Sequence, residues 1–278
     1  EPGYERFEIH PLRKDFEKVT EEVVIIDNPD LGRVTSFVPA PKGSLVAIEN
    51  HRCELIIMDL ESKEFKTIDR NEFGLIWELN WSPDGRWLTY SNNRDRNTRH
   101  IIIWDSKENQ LHIVSKPVLN DTAPVFDPEG KYLYFVSVRN LNPLPDGIQF
   151  DFIYPNSYKP YLIPLRKELR SPFIQEPKPF EAKPEIPKKD ENTTETKEPK
   201  DEIKPVEIDF EGICDRVIEF PVSSGIYGGL SAIKDRLFYV NMPLENRADD
   251  ENKFDLMCYD LNKLESWTYA KDITGYHI

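Results

Sequence analysis

The chain has 278 residues, of which 38% are hydrophobic and 12% aromatic, and this is enough apolar surface for one large domain with its own core. Its formal net charge of −14 argues against nucleic acid or an anionic membrane as the main partner. The longest apolar runs have only the length of a strand, so the sequence predicts no membrane-spanning segment and contains no apolar signal-peptide core at its start.

The first 30 residues precede a repeat that occupies most of the remaining chain. They contain one apolar run of strand length, residues 23–26 (VVII). We predict that residues 1–30 supply outer strands to a unit that comes before the first recognisable repeat.

A turn phrase recurs along the chain at a nearly constant spacing. It is found at residues 81–91 (WSPDGRWLTYS) and 126–135 (FDPEGKYLYF), and a degenerate copy is found at residues 41–47 (PKGSLVA). Neighbouring copies lie about 42 to 45 residues apart, which is the spacing of β-propeller blades. In each copy an aromatic residue ends one strand, a Pro–Gly turn reverses the chain, and an alternating apolar strand follows.

Two further strands follow the turn in the first two units. The sequence predicts them at residues 55–60 and 64–68 in the first unit, and at 101–105 and 110–114 in the second. Short polar turns separate the members of each pair. Four antiparallel strands in each unit would form one propeller blade.

The third and fourth units are less regular. In the third unit, the third strand (160–165) comes only after an aromatic loop (139–158). The fourth unit has predicted strands at 229–233, 237–240 and 255–260. The predicted blades therefore occupy residues 31–171 and 207–278, and residues 275–278 lie where the first strand of a next blade is expected.

A charged, proline-rich segment, residues 172–206, interrupts the third unit. Pro, Glu and Lys dominate it, and residues 190–197 contain no apolar side chain. Such a composition cannot bury enough surface to offset the entropy of ordering, so we predict a disordered insertion before an outer strand near 213–220. A solvated loop is favoured over a docking arm for another protein.

These patterns predict an all-β fold, a β-propeller of four-stranded antiparallel blades with about four blades present. An open ring would leave sheet faces and edges exposed. Four-bladed rings exist, but the ragged start and the end in mid-unit favour an incomplete part of a larger ring.

No signature of catalysis, cofactor binding or metal binding is found in the sequence. It contains no Gly-x-Ser-x-Gly elbow, no His-Glu-x-x-His helix, no phosphate-binding Gly-rich loop and no acidic calcium loop. Its five histidines are scattered, and we expect His100 and His112 at surface or edge positions. The cysteines Cys53, Cys214 and Cys258 are odd in number and widely spaced, which suits reduced thiols in a cytosol. We therefore predict no catalytic residues, no cofactor and no metal ligands in this chain.

Two loops carry residues that could contact a peptide. Arg94, Arg96 and Arg99 lie in the connection that follows the second turn phrase, and their guanidinium groups could hold a peptide carboxylate or an acidic partner. A polar loop that offsets nearby acids is the commoner alternative. Arg139 begins the second loop, residues 139–152, whose aromatic residues could line a hydrophobic passage or pack inside the domain.

Beyond its spacing, the amino-acid sequence of the repeat resembles that of the tricorn protease family. The matching stretches are residues 50–52 (NHR), 59–60 (DL), 68–74 (IDRNEFG), 79–87 (LNWSPDGRW), 124–135 (PVFDPEGKYLYF), 160–162 (PYL), 171–173 (SPF), 208–213 (IDFEGI) and 220–222 (FPV). They cover most of residues 32–240 and are similar to the seven-bladed propeller of that family. The resemblance implies that this chain is part of a seven-bladed ring.

The resemblance also implies a function. Members of the family are large cytosolic serine peptidases that assemble into ring-like hexamers and degrade peptides released by the proteasome. In them the seven-bladed propeller is not catalytic and forms a passage for peptide toward a serine active site in separate C-terminal domains. We therefore expect a cytoplasmic, substrate-channelling propeller whose partners are peptides, the remaining domains of its polypeptide and further copies of itself.

Two other interpretations remain open. The chain could be a stand-alone interaction propeller similar to TolB, or the propeller cap of a hydrolase that resembles prolyl oligopeptidase. The first predicts an upstream signal peptide and an early ring closure. The second predicts a downstream α/β-hydrolase domain with a nucleophile elbow.

Overall fold

The structure is a computed structural model that describes residues 6–9, 24–27, 29–116, 118–148, 151–154, 156–174, 204–242 and 253–277. Most of the charged insertion predicted at residues 172–206 lies outside these residues. In the described part the fold consists of strands, with two 3-10 helices at Pro29–Leu31 and Ile213–Asp215. The predicted all-β class is confirmed.

The strands of the described residues form four four-stranded antiparallel blades and two small sheets. The first small sheet consists of β1 (Arg6–Ile9) and β2 (Val24–Asp27). Blade 1 consists of β3 (Val34–Pro39), β4 (Leu45–Asn50), β5 (Glu54–Asp59) and β6 (Phe65–Arg70). Blade 2 consists of β7 (Trp77–Trp81), β8 (Trp87–Asn93), β9 (Arg99–Asp105) and β10 (Gln110–Ile113).

The last two blades follow the same plan with one insertion. Blade 3 begins with β11 (Asp121–Phe126) and β12 (Tyr132–Val138), and its long loop carries the short hairpin β13 (Leu144–Pro145) and β14 (Phe152–Ile153). It is completed by β15 (Tyr158–Pro164) and β16 (Ile218–Glu219). Blade 4 consists of β17 (Tyr227–Ile233), β18 (Arg236–Asn241), β19 (Phe254–Asp260) and β20 (Glu265–Ile273).

The turn between the first two strands of a blade is held by its own side chains. In blade 2 the Ser82 hydroxyl accepts a hydrogen bond from the backbone N–H of Trp87 at 2.9 Å and lies 2.6 Å from an Asp84 carboxylate oxygen. Gly85 completes the turn with a φ of 75°, in the left-handed region that favours glycine. The repeated Pro–Asp–Gly sequence is therefore explained by the geometry of the turn itself.

Consecutive blades pack face to face through apolar clusters. Blades 1 and 2 share a cluster that includes Ile57 and Trp104, and blades 2 and 3 share one that includes Trp87 and Phe135. A third cluster, which includes Tyr239, joins blades 3 and 4. Because blades 2 and 3 contribute both of their sheet faces to these shared clusters, burial of the faces stabilises the row of blades rather than any single sheet.

The first strands of neighbouring blades contact one another, β3 with β7, β7 with β11, and β11 with β17. Side chains reinforce this inner row. The Asn80 amide oxygen accepts a hydrogen bond from the backbone N–H of Phe126 at 2.9 Å, and the Trp81 indole N–H donates to the Val38 carbonyl at 3.0 Å. Bulges interrupt these strands at Glu78, Ala123 and Gly229, each of which has a positive φ.

The outer strand of blade 3 differs from the expectation. Instead of a full strand near 213–220, only Ile218–Glu219 pairs with β15. The segment before it, residues 204–217, lies along the groove between blades 2 and 3 and packs on both, and we call it the strap. Its Val206 is buried, and the Trp87 indole N–H donates a hydrogen bond to the Val206 carbonyl at 2.9 Å.

The expectation for His100 is wrong, because this side chain is only 7% exposed. It lies on β9 of blade 2, and blades 1 and 3 cover the two faces of this strand. His112 is half-buried and contacts the strap. The three cysteines are free thiols. Within the described residues, no helix is long and apolar enough to cross a membrane.

Candidate peptide-contact face

Three loops lie at the same end of the blades. They connect β4 to β5 (residues 51–53), β8 to β9 (94–98) and β12 to β13 (139–143). The chain reverses at each strand end, so these loops lie opposite the Pro–Asp–Gly turns. We call this end the loop face, and all four predicted contact residues, Arg94, Arg96, Arg99 and Arg139, lie on it or at its border.

The β8–β9 loop is ordered by Asp95. Its carboxylate accepts hydrogen bonds from the backbone N–H groups of Asn97 at 2.8 Å and Thr98 at 2.9 Å, and from the Thr98 hydroxyl at 2.8 Å. The N–H group of Asn97, followed by the Thr98 hydroxyl, lowers the pKa of Asp95 below its ordinary value. This carboxylate is therefore ionised at neutral pH and holds the loop in one shape.

Arg94 and Arg96 flank Asp95 and are both exposed. Among the described residues, neither guanidinium group has a carboxylate oxygen within ion-pairing distance. Exposed guanidinium groups on an ordered loop can bind a carboxylate by two parallel hydrogen bonds. These two side chains are the best placed of the four to hold an acidic ligand.

Arg99 is half-buried at the start of β9. Its backbone N–H donates to the Leu119 carbonyl at 2.9 Å, and its guanidinium carbon lies 5.9 Å from the centre of the Trp77 ring. Its charge also acts on Glu78, the residue at the bulge of β7. Burial raises the pKa of Glu78, while a hydrogen bond from the Ala123 N–H and attraction to Arg99 partly offset this rise.

Arg139 is engaged inside blade 3. Its guanidinium group lies 2.8 Å from a carboxylate oxygen of Asp121, which is 0% exposed, and its Nε donates to the Ser137 hydroxyl at 2.8 Å. The same group lies over the rings of Phe135 and Tyr161. A buried carboxylate needs such a partner, so the pair first of all stabilises the blade.

The structure brings further polar groups to this end that were not singled out from the sequence. Glu49, the next-to-last residue of β4, is 6% exposed. Burial raises its pKa to about 7, although hydrogen bonds from Thr35 and the Ile76 backbone act in the opposite direction. The Asp69 carboxylate accepts hydrogen bonds from the Tyr90 hydroxyl at 2.8 Å and the Asn92 amide at 2.7 Å. The only signal for them in the sequence is a polar residue at the end of an apolar strand.

His100 lies in this polar region. Burial lowers its pKa below the ordinary histidine value, and the charge of Arg94 adds to this effect, while Asp69 and Asp121 oppose it. The imidazole is therefore neutral at physiological pH. Within the described ranges, no group of three or more His, Cys, Asp or Glu side chains could hold a metal ion. The chemistry that the face offers is positive charge and hydrogen bonding.

The four-bladed row with its repeated turns defines a β-propeller fragment. A family model for the second β-propeller domain of tricorn protease matches residues 4–278. The chain therefore belongs to the tricorn protease family, and the resemblance inferred from the repeated phrases is confirmed.

Individual relatives agree with this assignment. Tricorn protease homolog 1 of Streptomyces coelicolor is 31% identical over 241 residues, which is 83% of this chain and 22% of that protein. A tricorn protease homolog of Saccharolobus solfataricus is 28% identical over 254 residues, which is 90% of this chain and 22% of that protein. The chain spans only about a quarter of the length of the curated relatives that it matches.

Solved structures show the same fold. The crystal structure of the tricorn protease superposes with a TM-score of 0.74 at 20% identity, over 92% of this chain and 24% of that chain. TolB from Acinetobacter baumannii superposes with a TM-score of 0.51 at 14% identity, over 90% of this chain and 46% of that chain. Both likenesses concern the fold alone.

Proposed function

We propose that this chain is the non-catalytic propeller part of a tricorn-like serine peptidase, and that it filters peptides and delivers them to an active site outside the chain. The observation that carries the proposal is the family match along residues 4–278. The relatives are several times longer than this chain, which leaves room for catalytic domains elsewhere in the polypeptide. We place its action in the cytoplasm, in a homo-hexamer that receives peptides from the proteasome.

Within this proposal, Arg94 and Arg96 attract the free carboxylate of a peptide at the loop face. The exposure of both side chains supports this role. Arg99 and Arg139 border the same path, Arg139 through its ion pair with Asp121. Attraction of this kind acts on association more than on final affinity, so it suits a passage that must also release its cargo.

The first experiment is the intact mass of the natural polypeptide that carries this sequence, with peptide mapping beyond residue 278. A product several times larger than 32.6 kDa that contains a serine-bearing domain supports the proposal. A polypeptide that closes its ring within a few blades would instead be an interaction propeller similar to TolB. An α/β-hydrolase domain downstream would favour the propeller cap of a prolyl-oligopeptidase-like enzyme.

The second experiment tests the loop face. The double variant Arg94→Glu with Arg96→Glu should lower the association rate of a peptide with a free carboxylate by roughly tenfold at low salt, and much less for the same peptide with an amidated end. The matched control, Lys42→Glu with Lys263→Glu, makes the same charge change in exposed turns at the opposite end of the blades. Equal effects of the two double variants would contradict a role for the arginines.

A further inference from the structure

The groove between blades 2 and 3 is filled by a segment of the chain itself. The side chains of Val206, Ile208 and Phe210 in the strap alternate along an extended backbone and pack on the cluster shared by these blades. The Phe210 ring stacks on His112, with ring centres 3.7 Å apart and planes 11° apart, and meets the Trp87 ring edge-on at 5.5 Å.

The backbone of the strap is also held. The N–H of Asp209 donates to the Leu165 carbonyl at 2.9 Å, and the N–H of Val206 donates to the Asp84 carboxylate at 2.8 Å. The strap thus binds as an extended peptide, through alternating apolar side chains and main-chain hydrogen bonds. This combination is how sheet-rich proteins bind peptide strands in general.

Among the residues that the structure describes, no segment fills the corresponding groove between blades 1 and 2. It has a volume of about 360 Å³, within the range of ligand pockets, and we call it the blade 1–2 groove. Its lining includes Leu45, Ile57, Lys66, Ile68, Trp104 and Ser106. Trp104 forms part of its apolar wall and is fixed by an edge-on contact with Trp81 and a hydrogen bond to Asn109.

The strand registers show that the two grooves are equivalent. Leu45 and Trp87 both open the second strand of a blade and pair with an aspartate, Asp59 or Asp105. Lys66 pairs with Ile57 in blade 1 just as His112 pairs with Ile103 in blade 2.

The opposite wall corresponds as well. The backbone N–H of Ser106 donates to the Arg86 carbonyl, and the backbone N–H of Leu165 donates to the Lys131 carbonyl. Arg86 and Lys131 occupy the same position, directly after the Pro–Gly turn between the first two strands of their blades. The Ser106 carbonyl therefore occupies the position from which the Leu165 carbonyl accepts a hydrogen bond from the strap.

We propose that the blade 1–2 groove binds an extended peptide segment of a partner protein, with an aromatic side chain over Lys66 and apolar side chains two and four positions before it. The strap supplies the pattern, Val206–x–Ile208–x–Phe210. In the blade 1–2 groove the cationic Lys66 ammonium lies beneath the aromatic ring of the bound peptide, at the position that the His112 ring has beneath Phe210. Leu45 is smaller than its counterpart Trp87, so this groove is wider. The proposal does not depend on the delivery of peptides to a peptidase.

The probe is a dye-labelled synthetic peptide with the sequence of residues 204–212 (KPVEIDFEG), titrated by fluorescence anisotropy against the natural polypeptide that carries this chain. We expect saturable binding that weakens roughly tenfold when the peptide residue corresponding to Phe210 is alanine. Ser106→Trp, which fills the groove, should weaken binding by a similar factor. Glu108→Trp, in the same turn but outside the lining, should leave it unchanged.

Two further variants keep the test decisive. Lys66→Glu changes an exposed side chain, so it tests the groove even if Ser106→Trp fails to fold, and we expect a loss of several-fold. His112→Ala removes the ring that stacks on Phe210 in the groove between blades 2 and 3. It should not change binding of the probe to the blade 1–2 groove.

Three results would overturn the proposal. They are the absence of saturable binding up to about 1 mM probe, a loss of binding in the His112 variant but not in the groove variants, and binding to the 278-residue chain alone but not to the longer polypeptide. The last result would mean that another segment of the same polypeptide fills the groove.

Discussion

At the scale of single residues, the turn glycines and the buried carboxylates are the positions at which we expect a substitution to change stability most clearly. Gly85 and Gly43 occupy the same turn position in neighbouring blades, and both have positive φ values, 75° and 85°. They differ in their surroundings. A Cβ on Gly85 would lie 2.6 Å from the Lys42 carbonyl oxygen, whereas a Cβ on Gly43 would meet nothing within 4 Å.

We therefore expect Gly85→Ala to be more destabilising than Gly43→Ala. Both variants incur the left-handed backbone penalty of about 1 kcal/mol, and Gly85→Ala also forces the turn of blade 2 away from the backbone of blade 1. The free energy of unfolding in urea measures the difference, with Gly43→Ala as the matched control. Equal losses would mean that the close approach of the two turns contributes nothing.

The buried carboxylate of Glu49 makes stability depend on pH. Its pKa rises from 4.5 to about 7 on folding because burial disfavours the charged form. Between these pH values the native state keeps a proton that the unfolded state has released, so the free energy of unfolding falls as pH rises through this window.

Glu49→Gln should abolish this fall and stabilise the protein above pH 7, by up to about 3 kcal/mol. Unfolding curves between pH 4.5 and 8 measure the effect as a difference between the two proteins. Glu54→Gln is the control, and its effect on the pH dependence of stability should have the opposite sign. The reason is that a hydrogen bond from Asn50 lowers the pKa of Glu54. A variant that loses stability at pH 8 would show that the Glu49 charge is accommodated.

At the scale of elements, the strap explains why β16 has only two residues. A blade normally ends with a full outer strand, but here residues 204–217 cover the groove between blades 2 and 3. The predicted full outer strand is wrong because Ile213, Cys214 and Val217 pack in the cluster between blades 2 and 3 instead of extending the strand that pairs with β15. An alternating pattern identifies a half-buried segment without identifying its partner.

Phe210→Ala should destabilise the protein by about 2–3 kcal/mol, less than a fully buried phenylalanine, because the ring is half-buried between His112 and Trp87. Glu207→Ala, an exposed position in the same strap, is the control and should change stability by less than about 0.5 kcal/mol. Urea denaturation compares the two variants. Similar small effects would show that the strap lies on blade 2 without stabilising it.

At the scale of the whole molecule, the row of blades is stabilised unevenly. Blades 2 and 3 share a cluster that the strap closes from outside, and Ile101, Ile103 and Leu133 in it are fully buried. Most side chains of β20, the outer strand of blade 4, are exposed, including Tyr269 at 61%. Local opening is easiest where few apolar contacts are buried.

Hydrogen exchange should therefore be slowest in β9 and β12 and faster in β20. Mass spectrometry of the exchanging chain measures the order directly. In the Phe210→Ala variant we expect exchange to accelerate in blades 2 and 3 and to remain unchanged in blade 1. Protection of β20 equal to that of β12 would contradict this view of the molecule.

The strand and turn pattern of a single blade could be predicted from the sequence. Pro–Gly turns, aromatic strand ends and alternating strands are local features, because neighbouring residues set the turn geometry and the pleat, and this is why the four blades and the family could be predicted. Even β20, which was not predicted, follows from the same hairpin rule.

Which polar residues are buried, and where the strap lies, depends on the packing of the blades and could not be predicted from the sequence. His100, Glu49 and Asp121 are buried because other blades cover them, and the Trp87–Val206 hydrogen bond joins residues 119 positions apart. Such contacts depend on how complete sheets pack. Short-range patterns carry no information about this, since a charged residue at a strand end looks the same whether solvent or another blade lies beside it.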